Sequence, residues 1–517
     1  MKLVEFGSLV ALLVFLVKSD GNVQTVVNRD SAKVVIYSYN TAGILRNNDI
    51  NSDIIKGFQA KIVRDIKESG GDDIWMCVIA YQEIWNAGQV FEEQFNKILD
   101  WIKIRPSLED KVIKFTENVM KQVFEDRKRE MTCKLEKNET LLTVACRLLP
   151  DSKGTDKKWL VEAFRYGWNE YGSKTSRNIL GFKGVLAVSI NLGNDKYLLV
   201  VNVHLSSKSV ADRWKAIRVI RDQVEPYLQV ENFSVVILGD FNARSFSLVS
   251  PSMAYSHIAK FENNPGAGFL LLCLTDSLGA ENFKDENEKK EFCKDVHQKA
   301  KEYDEISYFF KREFPTKEFS RELKEVSVAN ADPLMPTFSF NINPKEKIIP
   351  YLRPAKKESI PSYTDRMFYI NSVKSPLEWS KYADIRAPEG QVEFSDHRPI
   401  IGIFTFKIDE ADQYKFENAL VLPQPRKLPS EADNVTFSYR KEEVGESEWK
   451  YPAKPNGVDL KASPEYTTYR FKGYSKLGID HNEMLKTLHL KGYRDFLEFA
   501  KKMFDSIEAK NQLKMII

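Results

Sequence analysis

Val235-Val-Ile-Leu-Gly-Asp-Phe-Asn-Ala-Arg244 is the stretch from which the fold is read. Four apolar residues run into Gly239 and then into a polar cluster, Asp240-Phe241-Asn242. That pattern predicts a buried strand ending at a loop. Asp240 and Asn242 stand two apart, so on an extended segment their side chains share one side. A carboxylate and an amide together at a strand end place a proton acceptor beside a neutral donor, a pairing suited to a metal-bound phosphate. Asp and Asn also make ordinary turns, so the stretch takes its meaning from the rest of the chain.

Other apolar runs end in matching chemistry. Lys33-Val-Val-Ile-Tyr-Ser-Tyr39 ends at Asn40-Thr41, and Asp73-Ile-Trp-Met-Cys-Val-Ile-Ala-Tyr81 ends at Gln82-Glu83. Tyr197-Leu-Leu-Val-Val-Asn-Val203 ends at His204-Leu205-Ser206-Ser207. Glu393-Phe-Ser-Asp-His-Arg-Pro399 precedes the apolar run Ile400–Phe406, and Ile360-Pro-Ser-Tyr-Thr-Asp-Arg-Met-Phe-Tyr369 lies between the His204 segment and Glu393. Each run is expected to be a strand of a core sheet, with the polar ends gathered at one edge. Carboxylates, amides and two histidines from distant parts of the chain would then form one site. Singly, each has an ordinary reading: Glu83 as a capping carboxylate, His204 as a satisfied imidazole, Asp396 as a turn residue before Pro399. Their recurrence at successive strand ends is what singles them out.

In order along the chain, Asn40-Thr41, Gln82-Glu83, Lys183-Gly184-Val185, His204-Leu205, Gly239–Arg244, Pro361-Ser-Tyr-Thr-Asp-Arg366 and Ser395-Asp-His-Arg-Pro399 resemble the endonuclease/exonuclease/phosphatase superfamily. Pro361–Arg366 is similar to the signature of the inositol polyphosphate 5-phosphatases, and Pro336-Thr337-Phe338 and Arg213 also match that family. The resemblance implies a four-layered α/β sandwich over residues 30–408, with two mainly antiparallel sheets face to face and helices outside. It further implies a Mg2+-dependent phosphoesterase acting on a phosphoinositide or inositol polyphosphate, with peripheral membrane contact as one route to a lipid head group. No nucleic-acid partner is expected.

The family's roles carry over residue by residue. Glu83, Asn40 and Asp396 would stand on the metal side, through the oxygen donors that a hard cation prefers. Asp240 would handle the proton of the attacking water or leaving group, and Asn242 and His204 would donate to phosphoryl oxygens. His397, oriented by Asp365, would contact the scissile phosphate or help activate water. Lys183, Arg244, Arg366, Lys356 and Lys357 would supply positive charge for a polyanion. In-line displacement at phosphorus needs a cation, donors and a placed base, with no covalent nucleophile. The chain departs from the family at Phe182 and Tyr363, and at Ser339, where the family commonly has Lys after Pro-Thr-Tyr. That last change leaves the substrate's neighbouring phosphate without its usual partner.

The chain has 517 residues, 43% hydrophobic and 29% charged, with a net charge of +3. That is an ordinary globular composition, too near neutral for a general grip on nucleic acid. Met1-Lys2 followed by the apolar run Phe6–Val17 fits a secretory signal peptide over residues 1–20. Sequons at Asn138, Asn232 and Asn434 fit export. Of the five cysteines, Cys77 and Cys146 fall in strand-like apolar runs and are expected in the core, while Cys273 and Cys293 are expected to bridge.

Residues 90–102 and 111–124 show helical periodicity and are expected as outer-layer helices. Residues 280–325 are read as a solvated helical hairpin that has the position in the chain to overhang the site. Residues 409–465, rich in Pro and charge, are expected as an extended linker or wrap, and 466–517 as a helical extension docked on the catalytic domain. The leading function is a secreted 5-phosphatase. The alternatives are a nuclease or sphingomyelinase-like phosphodiesterase of the same fold, and a non-enzymatic ligand-binding member.

Overall fold

The structure, a computed structural model, describes residues 31–42, 44, 52–70, 74–84, 111–124, 131–138, 141–148, 159–168, 183–193, 196–207, 210–246, 265–274, 283–314, 323–326, 336–338, 361–374, 376–384, 394–407 and 501. The expected signal peptide, the helix at 90–102, Lys356, Lys357, the linker at 409–465 and all of the C-terminal extension except Lys501 lie outside them.

The strands are β1 (Ser31–Asn40), β2 (Ile74–Gln82), β3 (Met131–Asn138), β4 (Leu141–Leu148), β5 (Leu160–Trp168), β6 (Lys183–Gly193), β7 (Lys196–His204), β8 (Phe233–Asp240), β9 (Lys324–Glu325), β10 (Asp365–Ile370), β11 (Glu378–Asp384) and β12 (Ile400–Lys407). They form two six-stranded sheets, in the orders β11-β12-β1-β2-β4-β3 and β5-β6-β7-β8-β10-β9. The pairs β1–β2 and β7–β8 run parallel, so both sheets are mixed. The other pairs are antiparallel, as in β1–β12 and β8–β10.

Strand alternation builds the layers. Val34, Ile36, Met76 and Val78 of the first sheet meet Val200, Val236, Leu238 and Met367 of the second in one core between the sheets. The intervening residues face outward. Val35, Tyr37, Cys77 and Ile79 pack under the helix Asp53–Gly70 and a helix over 111–123. Val201, Val235, Ile237 and Phe368 pack under the helices Val210–Leu228, Pro265–Leu274, Glu286–Glu302 and Glu305–Glu313. Helix, sheet, sheet, helix is the four-layered α/β sandwich. The near-continuous apolar strands follow from it, because a strand covered on both faces has no polar side to show.

One expectation is corrected. Residues 286–313 are not a solvated hairpin: Val296, His297, Ala300, Ile306, Phe309 and Phe310 are buried against the second sheet's outer layer. Charge on the opposite face of an amphipathic pair accounts for the solvated look of the sequence. Cys146 is buried as expected, and it is bonded to Cys133. The Cys273–Cys293 bridge forms as expected, and Cys77 is a buried free thiol.

Candidate active site

The inward-facing parity of each strand carries a polar residue to the same end of the sandwich. Asn40 ends β1, His204 ends β7, Asp240 ends β8 and Asp365 starts β10. All four are at most 1% exposed. Glu83 follows β2 at φ +49°, and Asn242 follows β8 at φ +52°. Left-handed backbone at non-glycine residues costs energy and clusters at functional sites. Gly239 makes the approach to Asp240 feasible. Its φ is +130°, and a Cβ there would lie 2.1 Å from the Val203 carbonyl oxygen.

Asp240 is the hub. Its Oδ2 accepts from Asn40 Nδ2 at 3.0 Å and Asn242 Nδ2 at 3.1 Å, and its Oδ1 accepts from the Asn242 backbone at 2.8 Å. The same Oδ2 lies 3.3 Å from His204 Nε2 and 3.8 Å from His397 Nε2. Burial alone would raise this carboxyl, but the charge of His397, and then His204 and Lys183, hold it far below the ordinary carboxylate range. Asp240 is therefore an ionised acceptor.

His397 is held from its other nitrogen, Nδ1, by Asp365 Oδ2 at 2.9 Å. Burial pulls its pKa down, but Asp365 and Asp240 override that and push it up to about 9. Asp365 is in turn placed by neighbours that the sequence analysis did not assign to the site. Thr364 Oγ1 donates to its Oδ2 at 2.9 Å, and its backbone N–H donates to Thr337 Oγ1 at 3.0 Å. Thr337 comes from the Pro-Thr-Phe motif, which gives that motif a structural purpose. Ser395 Oγ donates to the Asn40 carbonyl at 2.7 Å and ties the His397 loop to β1.

Glu83 stands at the rim, with its side chain 32% exposed. Its Oε1 lies 3.3 Å from His204 Nε2 and 3.7 Å from Lys183 Nζ. Burial pushes its pKa up, but His204, Lys183 and His397 bring it down to about 2. His204 also touches the Lys183 ammonium. Burial and Lys183 lower its pKa, the hydrogen bonds to Asp240 and Glu83 raise it, and the carboxylates prevail.

Below these residues lies a polar floor. Gln82 Nε2 donates to Ser38 Oγ at 3.2 Å and to Asn202 Oδ1 at 2.8 Å. Asn202 Nδ2 donates to the Tyr81 and Leu142 carbonyls, each at 3.2 Å. Asn202 sits inside the apolar run of β7, and no signal in the sequence distinguished it there.

The half-buried Arg244 lies with its guanidinium carbon 4.7 Å from the Phe338 ring centre, and that ring is 4.6 Å from His397. Arg244 Nη1 is buried without a hydrogen-bond partner among the described residues. Asp396 is half-buried, and its charge acts on His397 and Arg244. Arg366 does not face the site. It lies on the opposite parity from Asp365 and is fully buried against Asp304 of the outer helical layer and Glu325 of β9. Lys356 and Lys357 lie outside the described residues.

Among the described residues two groups could hold a metal ion: Glu83 with His204 and Asp240, and Asp240 with Asp365 and His397. The first suits a hard cation, because it supplies two ionised carboxylates with the Asn40 amide adjacent. Asn40 turns its Nδ2 to Asp240, and its Oδ1 accepts from the Ala42 backbone at 3.1 Å. A second lone pair remains on that oxygen.

No protein-family model matches the chain, and no curated protein matches it. Among solved structures it is similar to the inositol polyphosphate 5-phosphatase domain of SPsynaptojanin, crystallised with inositol (1,4)-bisphosphate and calcium ion. That likeness has 16% identity and a TM-score of 0.40, over 74% of this chain and 87% of the other. It is similar to Cimex nitrophorin in its ferrous NO complex, at 13% identity and TM-score 0.40, over 74% of this chain and 100% of the other. It is also similar to D. rerio TDP2 bound to single-stranded DNA product, at 12% identity and TM-score 0.34, over 72% of this chain and 98% of the other. Each likeness is one of fold alone.

Proposed function

We propose that this protein is a secreted, Mg2+-dependent hydrolase that removes the 5-phosphate of a phosphoinositide or inositol polyphosphate, with residues 30–408 as its catalytic unit. The observation that carries the reading is the buried array in which Asp240 receives His204 and His397 at 3.3 and 3.8 Å while Asp365 holds the far side of His397. Such an array offers imidazole donors to an anion, with the His397 ring protonated at neutral pH, and one ionised acceptor to water. A lone nucleophile or redox centre has no counterpart in it.

Each residue has a chemical task. His397, protonated at neutral pH, donates to a phosphoryl oxygen or the leaving oxygen. His204 donates to the charge that grows at phosphorus. Asp240 accepts a hydrogen bond from the attacking water and orients it, its depressed pKa making it an orienting group more than a strong base. Asn242 fixes Asp240. Glu83, with Asp240 and Asn40, would hold Mg2+, which when bound neutralises phosphoryl oxygens. Arg244, with an unpartnered buried Nη1, and Lys183 supply charge for the substrate. The disulfides Cys133–Cys146 and Cys273–Cys293 support the secreted reading, since such bridges persist in oxidising compartments. Among the described residues no helix is long and apolar enough to cross a membrane.

The test is metal-dependent phosphate release from a panel of inositol phosphates, phosphoinositides, DNA and sphingomyelin. Asp240→Asn and His397→Ala should each lower turnover by roughly 10² or more while leaving the protein folded. Cleavage of DNA or sphingomyelin in preference to inositol phosphates would replace this reading with the phosphodiesterase one. Ser339→Lys should raise activity on 4,5-bisphosphorylated head groups relative to simpler phosphoesters, by restoring a charge-assisted contact.

A further inference from the structure

The outer helices reach the site through an acidic pair at their junction. Asp304 and Glu305 are 1% and 0% exposed, and each is ion-paired with a different arginine, Arg366 of β10 and Arg213 of the helix Val210–Leu228. Asp304 Oδ2 accepts from Arg366 Nη1 at 2.6 Å, and Arg366 directly follows Asp365. Glu305 Oε1 lies 2.5 Å from Arg213 Nη2, and Arg213 Nη1 donates to the Ser206 carbonyl at 2.8 Å, two residues beyond His204. One dipeptide therefore grips both the strand that orients His397 and the loop that follows His204. The same helical pair makes two further contacts. His297 Nδ1 meets Tyr363 Oη at 2.7 Å, and the Phe246 backbone N–H donates to the Ala300 carbonyl at 3.2 Å. Tyr363 stands two residues before Asp365, and Phe246 two after Arg244.

Buried ion pairs are a poor device for stability, because desolvation consumes most of the attraction. Their directional geometry suits them to fixing position. We propose that Asp304 and Glu305 are positioning residues: they set the distance between the His204 and His397 sides of the site by anchoring Arg213 and Arg366. The inference rests on the reading of those histidines as the reacting groups. The charged insertion is then a brace behind the site. Tyr363, a departure from its family's usual residue, uses its hydroxyl as one more point of attachment.

The experiment compares Asp304→Asn and Glu305→Gln with wild type and with Lys299→Gln, which removes the partly exposed pair to Glu302 at 2.7 Å and the cation over the Tyr303 ring, leaving both buried arginine pairs in place. Misplacement of reacting groups by even an ångström lowers turnover steeply, so kcat should fall about tenfold or more in both buried variants, with KM changed less than about threefold. Histidine ring NMR signals provide a readout independent of activity. His397 should shift in Asp304→Asn, His204 should shift in Glu305→Gln, and neither should shift in Lys299→Gln. If a buried variant does not fold, Arg366→Lys and Arg213→Lys replace it, keeping charge while losing the planar fork. Unchanged kcat and unmoved ring signals in folded variants that melt earlier would overturn the proposal. A wild type that hydrolyses nothing would count against the proposed function, and the ring signals would still decide this inference.

Discussion

Asp365 stands directly opposite Asp240 in the pairing of β10 with β8, and the two carboxylates hold one imidazole from its two nitrogens. Like charges facing each other across strands repel. The protonated ring of His397 between them offsets that repulsion. Their surroundings also separate them. Burial lifts the Asp365 carboxyl above its ordinary value against the pull of His397 and with a push from Asp240. Asp240, with two imidazoles and Lys183 around it, is driven the other way despite its burial. Two acids with divergent proton affinities are the arrangement from which separate chemical roles arise.

The first prediction is a pH dependence of stability. The pKa of His397 rises on folding from 6.5 to about 9. A raised folded-state pKa gives stability that is fully present below the unfolded value and lost as pH rises through the folded one. The melting temperature should therefore decline between about pH 6.5 and 9, and His397→Gln should flatten that decline. Thermal melts across this interval check it, and a wild-type melting temperature that climbs there would refute it.

Metal dependence should run through Glu83. Glu83→Gln should raise the Mg2+ concentration needed for half-maximal activity, because a neutral amide is a weaker ligand for a hard cation than a carboxylate. Calorimetric Mg2+ titration of both proteins gives the same comparison without substrate. Identical titrations would place the metal elsewhere.

Gly239→Ala should destabilise the protein by about 1–3 kcal/mol, since the backbone there is at a φ open mainly to glycine and a new Cβ meets the Val203 carbonyl at 2.1 Å. Denaturant midpoints measure the effect. A midpoint equal to wild type would mean that the close approach of β7 and β8 is relaxed in solution.

Disulfide mapping should recover the peptide pairs Cys133–Cys146 and Cys273–Cys293, with Cys77 alkylated only after unfolding. Cys77 is aligned with Cys146 on the neighbouring strand, so a Cys77–Cys146 peptide is the specific contrary result.

Strand ends were legible in the sequence because alternation makes them so. A run such as Val235–Leu238 announces a strand buried on both faces, and the polar residue that ends it announces the sheet's edge. The same alternation explains why Arg366 misled. The motif names it beside Asp365, yet adjacent strand residues point to opposite faces. Asn202 was hidden because a single polar residue in an apolar run has no periodic signature. Asp304 and Glu305 looked solvated because they lie among Lys and Glu. The available signal was local: Asp304 accepts from the Ser307 backbone as a helix cap, ahead of the apolar spacing Ile306, Phe309 and Phe310.

The hydrogen bond from Gln82 to Asn202 joins the first sheet to the second through the middle of the sandwich. Apolar attraction between two sheet faces is non-directional, so it presses them together without preferring one offset over a slide of a few ångströms. A buried amide pair has one satisfying alignment and a penalty for every other. It acts as a dowel between two planks. His397 belongs to one plank and His204 to the other, and the tolerance with which they meet is the tolerance of that joint.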